Sequence, residues 1–582
     1  MNRKFCTLIV ACLLFLQAGV ASAVLPDTIP QVRNIILMIP DGCSLASYSL
    51  ARWYQRYKDP SKLHLNIDPY IRGTVLTYCS DAPVGDSAPT TSCYVSGVPS
   101  KAGYVATYPK SEGENDLIPL DPKKAYSPLV TLLEAGKIAL GKRSGLVFTC
   151  EFTHATPADC SAHSADRKRY DMIAPQMVHQ NVDVVIGGGT YLLSRDLKQE
   201  LIDRGYELLL DDLRGLRESH SSKLWSLFGA YDMPNDFDRD TTRYPSIAEM
   251  TEVAIARLND PTSPGFFLMV EGSKVDWAAH ANDPVGIVSE LLAFDRAFAV
   301  ALDFAKRDGR TAVVLLSDHG NSGISIGREG IGKLHHLSKD QLFAAMSAHK
   351  YTAEGLARIL AAHPYESVDS LLWDASHIRL GEEEREALIH CSDYAASPMA
   401  KDQRGELDGN SFAARSLQDF CCKLLTKHSP VGFTTHGHTA EDVLLTAYHP
   451  AGAEPRGMLI NTELAQYLAA LWGLKAPYTE LGDQIFAPHT EVFEGMMVKV
   501  LPAKRSHKEL KKLQSYHDVD LTDFAPELEV RHKGKKLRLK PYTNYVDLNG
   551  KREYLQSVIV YAPENETFYL PRTLRALLIG NK

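Results

Sequence analysis

A short apolar run rich in isoleucine, Asn34 to Ile39, stops at Pro40-Asp41-Gly42. The same pattern recurs from Ser144 to Thr149, and from Val184 to Ile186 before Gly187-Gly188-Gly189. It returns from Phe266 to Val270 before Glu271-Gly272, and from Thr311 to Leu316 before Ser317-Asp318-His319. Near-continuous apolar strands that end on polar residues predict a buried parallel sheet. Between the last two runs the spacing becomes helical. Asp283 is the expected N-cap and Pro284 the first helical residue; Ile287, Leu291, Phe294, Phe298 and Leu302 share a face, and Gly309 closes the helix. A strand–helix–strand unit predicts an α/β fold with ligands gathered at the carboxyl ends of the strands.

From about Gly320 to Pro430 the pattern turns polar and helical, with the acidic run Glu382-Glu383-Glu384, and reads as an insertion over the sheet edge. Strand character returns at Asp442 to Tyr448, and a short helix is expected from Asn461 to Leu471. The last hundred residues differ again. Leu528 to Val530 and Leu537 to Leu539 flank Lys533-Gly534, Asn549-Gly550 reads as a hairpin turn between Tyr545-Val546 and Tyr554, and Val558 to Tyr561 is another strand. Lysines and arginines are frequent from Lys504 to Lys512 and from Arg531 to Lys540; a solvated strand face explains them more simply than a surface-binding module. The expected organisation is an export segment over 1–23, a catalytic unit over 24–480 with its insertion at about 320–430, and a β-rich extension over 481–582.

Length and charge narrow this picture. At 582 residues the chain exceeds one compact core. Its formal net charge of −8 gives no reason to expect a nucleic-acid partner, so a small anionic substrate needs local positive charge from metal ions or arginine. Arg3 and Lys4, the apolar stretch Thr7 to Phe15 and Ala21-Ser22-Ala23 read as an export signal cleaved near Ala23. The apolar stretch is shorter than the ~20 residues that span a bilayer. A lipoprotein signal ending at Cys12 is the weaker alternative. Eight of the ten cysteines lie beyond Cys6 and Cys12, and in an exported chain some are expected to pair, with no connectivity predicted.

The chemistry gathers at strand ends: Asp41, Glu271, Asp276, His280, Asp318 and His319. Asp276 and His280 are four apart, so a helical turn puts both on one face as a pair of ligands for a zinc-like ion. Asp318-His319 offers one oxygen and one nitrogen directly after a strand. Any one of these is weak, since a lone aspartate after a strand is more often a helix cap. Together they would be costly to bury without cations. Ser87, in Gly85-Asp86-Ser87-Ala88-Pro89-Thr90-Thr91, precedes a helix expected to run to Ser96. Either Asp86 or Ser87 could simply cap it. A serine hydroxyl needs a base or metal to become a nucleophile, and the absence of a GxSxG elbow favours metal. Arg167, beyond His154-Ala155-Thr156-Pro157, could grip two phosphate oxygens, although spacing alone does not separate it from Lys168 and Arg169.

Five motifs in this order resemble the alkaline phosphatase family. They are Asp86-Ser87-Ala88; His154-Ala155-Thr156-Pro157 with Arg167; Val270-Glu271-Gly272-Ser273-Lys274-Val275-Asp276-Trp277-Ala278-Ala279-His280; Ser317-Asp318-His319; and Thr435-His436-Gly437-His438-Thr439-Ala440-Glu441-Asp442-Val443. Asp41 precedes them all, and the resemblance covers about Val32 to Leu474. It implies a doubly wound α/β sandwich whose surface insertion often takes part in dimer contacts, and hence a homodimer as an option. It also implies two Zn2+ ions and one Mg2+ ion. The first zinc would be held by Asp276, His280 and His438, and the second by Asp41, Asp318, His319 and Ser87. Asp41, Thr156 and Glu271 would form the magnesium site, and Arg167 would hold the phosphoryl oxygens.

The implied reaction is hydrolysis of small phosphate monoesters through a phosphoseryl intermediate on Ser87. Phosphodiester or sulfate-ester cleavage in the same superfamily is the alternative reaction, and a catalytically inert metal- or phosphate-binding protein is the non-enzymatic one. Ser87 with Arg167 favours monoesters, and the complete ligand set favours an enzyme. The chain departs from the family pattern at Pro40, Cys43 and Pro89. His154 stands where members carry aspartate or histidine, and Trp277 where they carry lysine or histidine. His154 is expected to act through water or not at all. His436 rivals His438 as a ligand, but the spacing to Glu441-Asp442-Val443 favours His438.

Overall fold

In the computed structural model the apolar runs become the strands of one ten-stranded sheet. Residues 25–579 are described, apart from 27, 364–366, 396–411, 511, 513–515, 517–518. The expected export segment, with Cys6 and Cys12, lies outside the described residues. In chain order the strands are β1 (Asn34–Ile39), β2 (Ile71–Leu76), β3 (Arg143–Glu151), β4 (Val184–Gly188), β5 (Glu207–Leu210), β6 (Leu224–Phe228), β7 (Phe266–Glu271), β8 (Thr311–Leu316), β9 (Val443–Tyr448) and β10 (Gly457–Ile460). Their spatial order is β10-β2-β9-β8-β1-β7-β3-β4-β6-β5. All run parallel except β9, which is antiparallel to both β2 and β8.

Alternate residues of β1 serve opposite faces. Ile35, Leu37 and Ile39 join one apolar core and Ile36 and Met38 another. Both faces are therefore covered by helices, as a doubly wound sheet requires. The helices that bear on the site are α1 (Leu45–Lys58), α2 (Ser87–Ser96), α3 (Ala155–Asp159), α4 (Lys274–His280) and α5 (Pro284–Asp308). In α5 the Asp283 side chain accepts from the Val285 N–H, Leu291, Phe294, Phe298 and Leu302 enter the second core, and Gly309 ends the helix with φ 65°.

The region after β8 is helical as expected, with its own core around Leu356, Leu372, Leu417 and Leu425. It sits against α1 and α5 rather than along either edge strand of the sheet, β10 or β5. The anchors are both apolar and polar: Phe343 and Met346 pack with Leu50, Tyr54 and Ile287. The buried Lys274 ammonium pairs with Asp232 at 2.8 Å and with Glu354 of the insertion at 3.4 Å, and Tyr57 donates to Asp340.

Beyond the main sheet lies a five-stranded antiparallel meander of Met497–Leu501, Glu527–His532, Lys535–Leu539, Tyr545–Leu548 and Lys551–Tyr554. Asn549 and Gly550 make its last hairpin turn with φ 53° and 89°, the left-handed pair a tight hairpin demands. Glu529 sits among Arg531, Lys536 and Arg538 at 2.8, 3.0 and 3.2 Å, so part of the basic run is neutralised within its own sheet. The expected cysteine pairing is not found: Cys43, Cys79, Cys93, Cys150, Cys160, Cys391, Cys421 and Cys422 are all free thiols. Among the described residues no helix is long and apolar enough to cross a membrane.

Candidate metal centre and nucleophile

The four adjacent strands β8, β1, β7 and β3 bring their carboxyl ends to one place. Asp41 follows β1, Glu271 ends β7 and Asp318-His319 follow β8, so residues far apart in sequence become neighbours by strand pairing. Gly42 makes the turn after Asp41. Its φ of 61° is left-handed, a Cβ there would strike Asp276, and its N–H donates to Asp318 Oδ1 at 3.0 Å. α4 then presents Asp276 and His280 on one face, with His280 Nε2 3.4 Å from Asp276 Oδ2.

His438 arrives by a separate device. The two-residue strand His438–Thr439 pairs antiparallel with Gly320–Asn321, directly after His319. Its Nε2 lies 3.0 Å from His280 Nε2 and 3.7 Å from Asp276 Oδ1, and its ring stacks on His319 at 3.6 Å. His436 faces away from this cluster, with Nδ1 at the His280 carbonyl at 2.9 Å. Asp276, His280 and His438 thus form one group of candidate ligands. Asp41, Asp276 and His319 form another, sharing Asp276 with the first; His319 Nε2 lies 3.5 Å from Asp41 Oδ1, and Asp318 Oδ2 adjoins it at 3.4 Å.

Asp86, not Ser87, caps α2: its Oδ1 accepts from the Ala88 N–H at 2.8 Å. That leaves the Ser87 hydroxyl free to lie 3.3 Å from Asp41 Oδ2 and 3.5 Å from His319 Nε2. With the Ala88 N–H occupied and Pro89 lacking one, the helix start has two fewer free backbone donors for an anion. Arg167 compensates. Its Nη1 donates to Asp86 Oδ1 at 3.1 Å and its Nη2 to His154 Nε2 at 3.0 Å. The same Asp86 carboxylate accepts the Gly103 N–H at 2.8 Å, tying nucleophile helix and arginine together. His154, expected to act through water or not at all, meets Arg167 directly through Nε2.

Several polar atoms here are buried without a partner: Asp41 Oδ1, Asp318 Oδ2, Glu271 Oε1, Thr156 Oγ1 and His154 Nδ1. Such atoms are costly unless something cationic satisfies them. Their donor types, three carboxylates with an imidazole and a hydroxyl, suit divalent cations. Thr156 lies on α3, which packs against β7 near Glu271. Sequence reasoning missed Asn321, whose amide donates to Asp276 Oδ1 at 2.6 Å and orients it. It also missed Cys150, whose thiol lies 3.4 Å from Glu271 Oε2. A cysteine inside a buried strand carries no sequence signal beyond its apolar neighbours. The Asn321 role could have been sought in its position two residues after His319.

Electrostatics agree with this need for cations. Burial, then Asp318, pushes the Glu271 carboxyl up to about 8, and burial, then Asp318 and Asp276, holds Asp41 well above the carboxylate range. Burial likewise raises Asp318. Burial, then His438, lowers His319 to about 3, so its ring stays neutral and able to ligate. Raised carboxyl groups mean that the cation-free native state keeps protons the unfolded chain has released. Their stabilisation is whole below the unfolded value of about 4 and is lost as pH rises through the folded value. Between about pH 5 and about pH 8 the melting temperature of chelated protein is therefore expected to fall relative to metal-loaded protein, and to level off above that. A gap that stays constant across that window would contradict this balance.

A sequence model of the family described as alkaline phosphatase matches residues 32–474. Alkaline phosphatase 3 of Bacillus subtilis is 33% identical over 451 residues, covering 75% of this chain and 88% of that one. The repressible alkaline phosphatase of Saccharomyces cerevisiae is 31% identical over 490 residues, covering 75% and 80%. Among solved structures, the Thermus thermophilus alkaline phosphatase superposes with a TM-score of 0.64 at 23% identity, covering 79% of this chain and 95% of that one. A cold-active alkaline phosphatase from a psychrophilic Shewanella species gives 0.63 at 24%, covering 75% and 99%. These two share the fold. With ordered motifs, sheet topology and family match in agreement, the chain belongs to the alkaline phosphatase family.

Proposed function

We propose that this phosphate monoester hydrolase works through a phosphoseryl intermediate on Ser87. The observation that carries the reading is the convergence of Ser87 Oγ with Asp41 and His319 on the side of the site where Arg167 sits. Asp276, His280 and His438 would hold one zinc ion, and Asp41, Asp318 and His319, with Ser87 as fourth partner, a second. The resemblance assigns magnesium to a third site at Asp41, Thr156 and Glu271. Two bound zinc ions supply Lewis-acid chemistry, lowering the pKa of the serine hydroxyl and offsetting charge on the departing alcohol's oxygen.

Ser87 Oγ attacks phosphorus as its proton passes to solvent, the P–O bond to the alcohol breaks, and the departing oxygen takes up a proton from water. Water then attacks phosphorus and Oγ leaves, returning Ser87 and releasing phosphate. Arg167 would take two equatorial phosphoryl oxygens, where charge concentrates. Asp86 positions Arg167, and Asn321 fixes Asp276. The N-terminal pattern motivates placing the reaction outside the cytoplasm.

The test is a comparison of an aryl phosphate monoester with the matching diester. Monoester turnover is expected to dominate, and equal rates would favour the diesterase alternative. In Arg167→Ala the monoester kcat/KM is expected to fall by roughly 10²–10³, as for loss of one transition-state oxyanion donor. Bound metal should be unchanged, and a matching loss of metal would refute the phosphate-gripping role.

A further inference from the structure

Beside the two zinc-class groups stands a third. Cys150 Sγ, a His154 ring nitrogen and a Glu271 carboxylate oxygen lie within 4.8 Å of one another. β3 pairs with β7 in the register Phe148 with Glu271, so Cys150, two residues on, faces the same side as Glu271. The Thr149 and Cys150 N–H groups both donate to Ser273 Oγ, at 3.2 and 3.1 Å, which fixes the cysteine against the turn after Glu271. Glu271 is fully buried and its Oε1 has no partner. It lies 3.9 Å from His154 Nδ1, which is also unpartnered. Two unsatisfied atoms and a thiol thus converge on one point.

We propose that in this chain the third cation is held by Cys150, His154 and Glu271, and is a zinc-class ion rather than magnesium. Magnesium favours octahedral oxygen ligands and retains waters, whereas a thiolate, an imidazole and a carboxylate form a borderline-to-soft set that suits zinc. Ligation displaces the thiol proton to solvent. It also bears on Arg167. A ring that ligates through Nδ1 carries its proton on Nε2, which cannot then accept from Arg167. The third ion and the Arg167–His154 contact are therefore alternatives, and occupancy frees Nη2 for a phosphoryl oxygen.

The competing account is that Cys150 fills space and its thiol merely donates to Glu271 Oε2. The test uses full-length protein stripped by chelation and reloaded with cobalt(II), alongside Cys150→Ser and Cys150→Ala, with folding checked by circular dichroism. The wild type is expected to show sulfur-to-cobalt charge-transfer absorption that both variants lack. Metal counts by mass spectrometry should show Cys150→Ala losing one ion and keeping the others. In competition, Cys150→Ser should lose zinc-over-magnesium preference at the third site by about tenfold or more. No sulfur band in metal-loaded wild type, or an unchanged third ion in Cys150→Ala, would overturn the proposal. The inference rests on the metal-dependent reading above, and the failures differ: if that reading fails the wild type binds no metal, whereas if this one fails metal binds without sulfur.

Discussion

Ser87→Ala is expected to lower kcat/KM for an aryl phosphate by roughly four orders of magnitude or more, about 5 kcal/mol of transition-state stabilisation. The size follows from what the hydroxyl does that no neighbour can. It is held 3.3 Å from Asp41 and 3.5 Å from His319, at the start of a helix capped by another residue. No second hydroxyl is recorded in hydrogen bonding with both of those ligands among the described residues. Because Ser87 is a small residue at a helix start, the substitution should leave fold and metal content intact. A variant with full activity would remove Ser87 from the mechanism. A variant that loses metal in proportion to activity would make the serine a ligand only.

Metal removal is expected to cost at least about three orders of magnitude in kcat, since Lewis-acid stabilisation contributes several kcal/mol. Zinc should restore the activity. The argument is structural. Asp41, Glu271 and Asp318 are fully buried at adjoining strand ends, each with an oxygen that no described group satisfies. Neutralising them with protons instead of cations would leave Ser87 without activation. His319→Ala should mimic chelation at the second ion group, because that ring sits between Asp41 and Asp318. Zinc should then fail to rescue. Activity that survives exhaustive chelation would argue against metal activation altogether.

The central strands were legible because burial on both faces leaves an unbroken apolar run, as in Asn34–Ile39 and Thr311–Leu316. β2 was not. Its Arg72 and Gly73 interrupt the run, and the glycine is there because the Gly457 carbonyl of the neighbouring strand occupies the space of a Cβ. Helix α5 could be placed to the residue because proline, aspartate cap and closing glycine punctuate it. The insertion's seat on α1 and α5 was not legible, because it depends on long-range contacts with no local pattern: Phe343 and Met346 against Leu50 and Tyr54, and Lys274 against Glu354.

At the site, sequence spacing marked Asp276 with His280 and Asp318 with His319. It did not decide between Asp86 and Ser87 as the helix cap, which turns on one backbone hydrogen bond. Nor did it find Cys150, which meets Glu271 where β3 and β7 lie side by side, or the His154–Arg167 contact, made between the two ends of a loop and short helix.

The most direct measurement is peptide mapping of enzyme acid-quenched during turnover of a phosphate monoester. The account predicts a phosphoryl group on the peptide that carries Ser87, absent from Ser87→Ala and absent after chelation. An active enzyme with no phosphoryl group on Ser87, or with one on another residue, would contradict it.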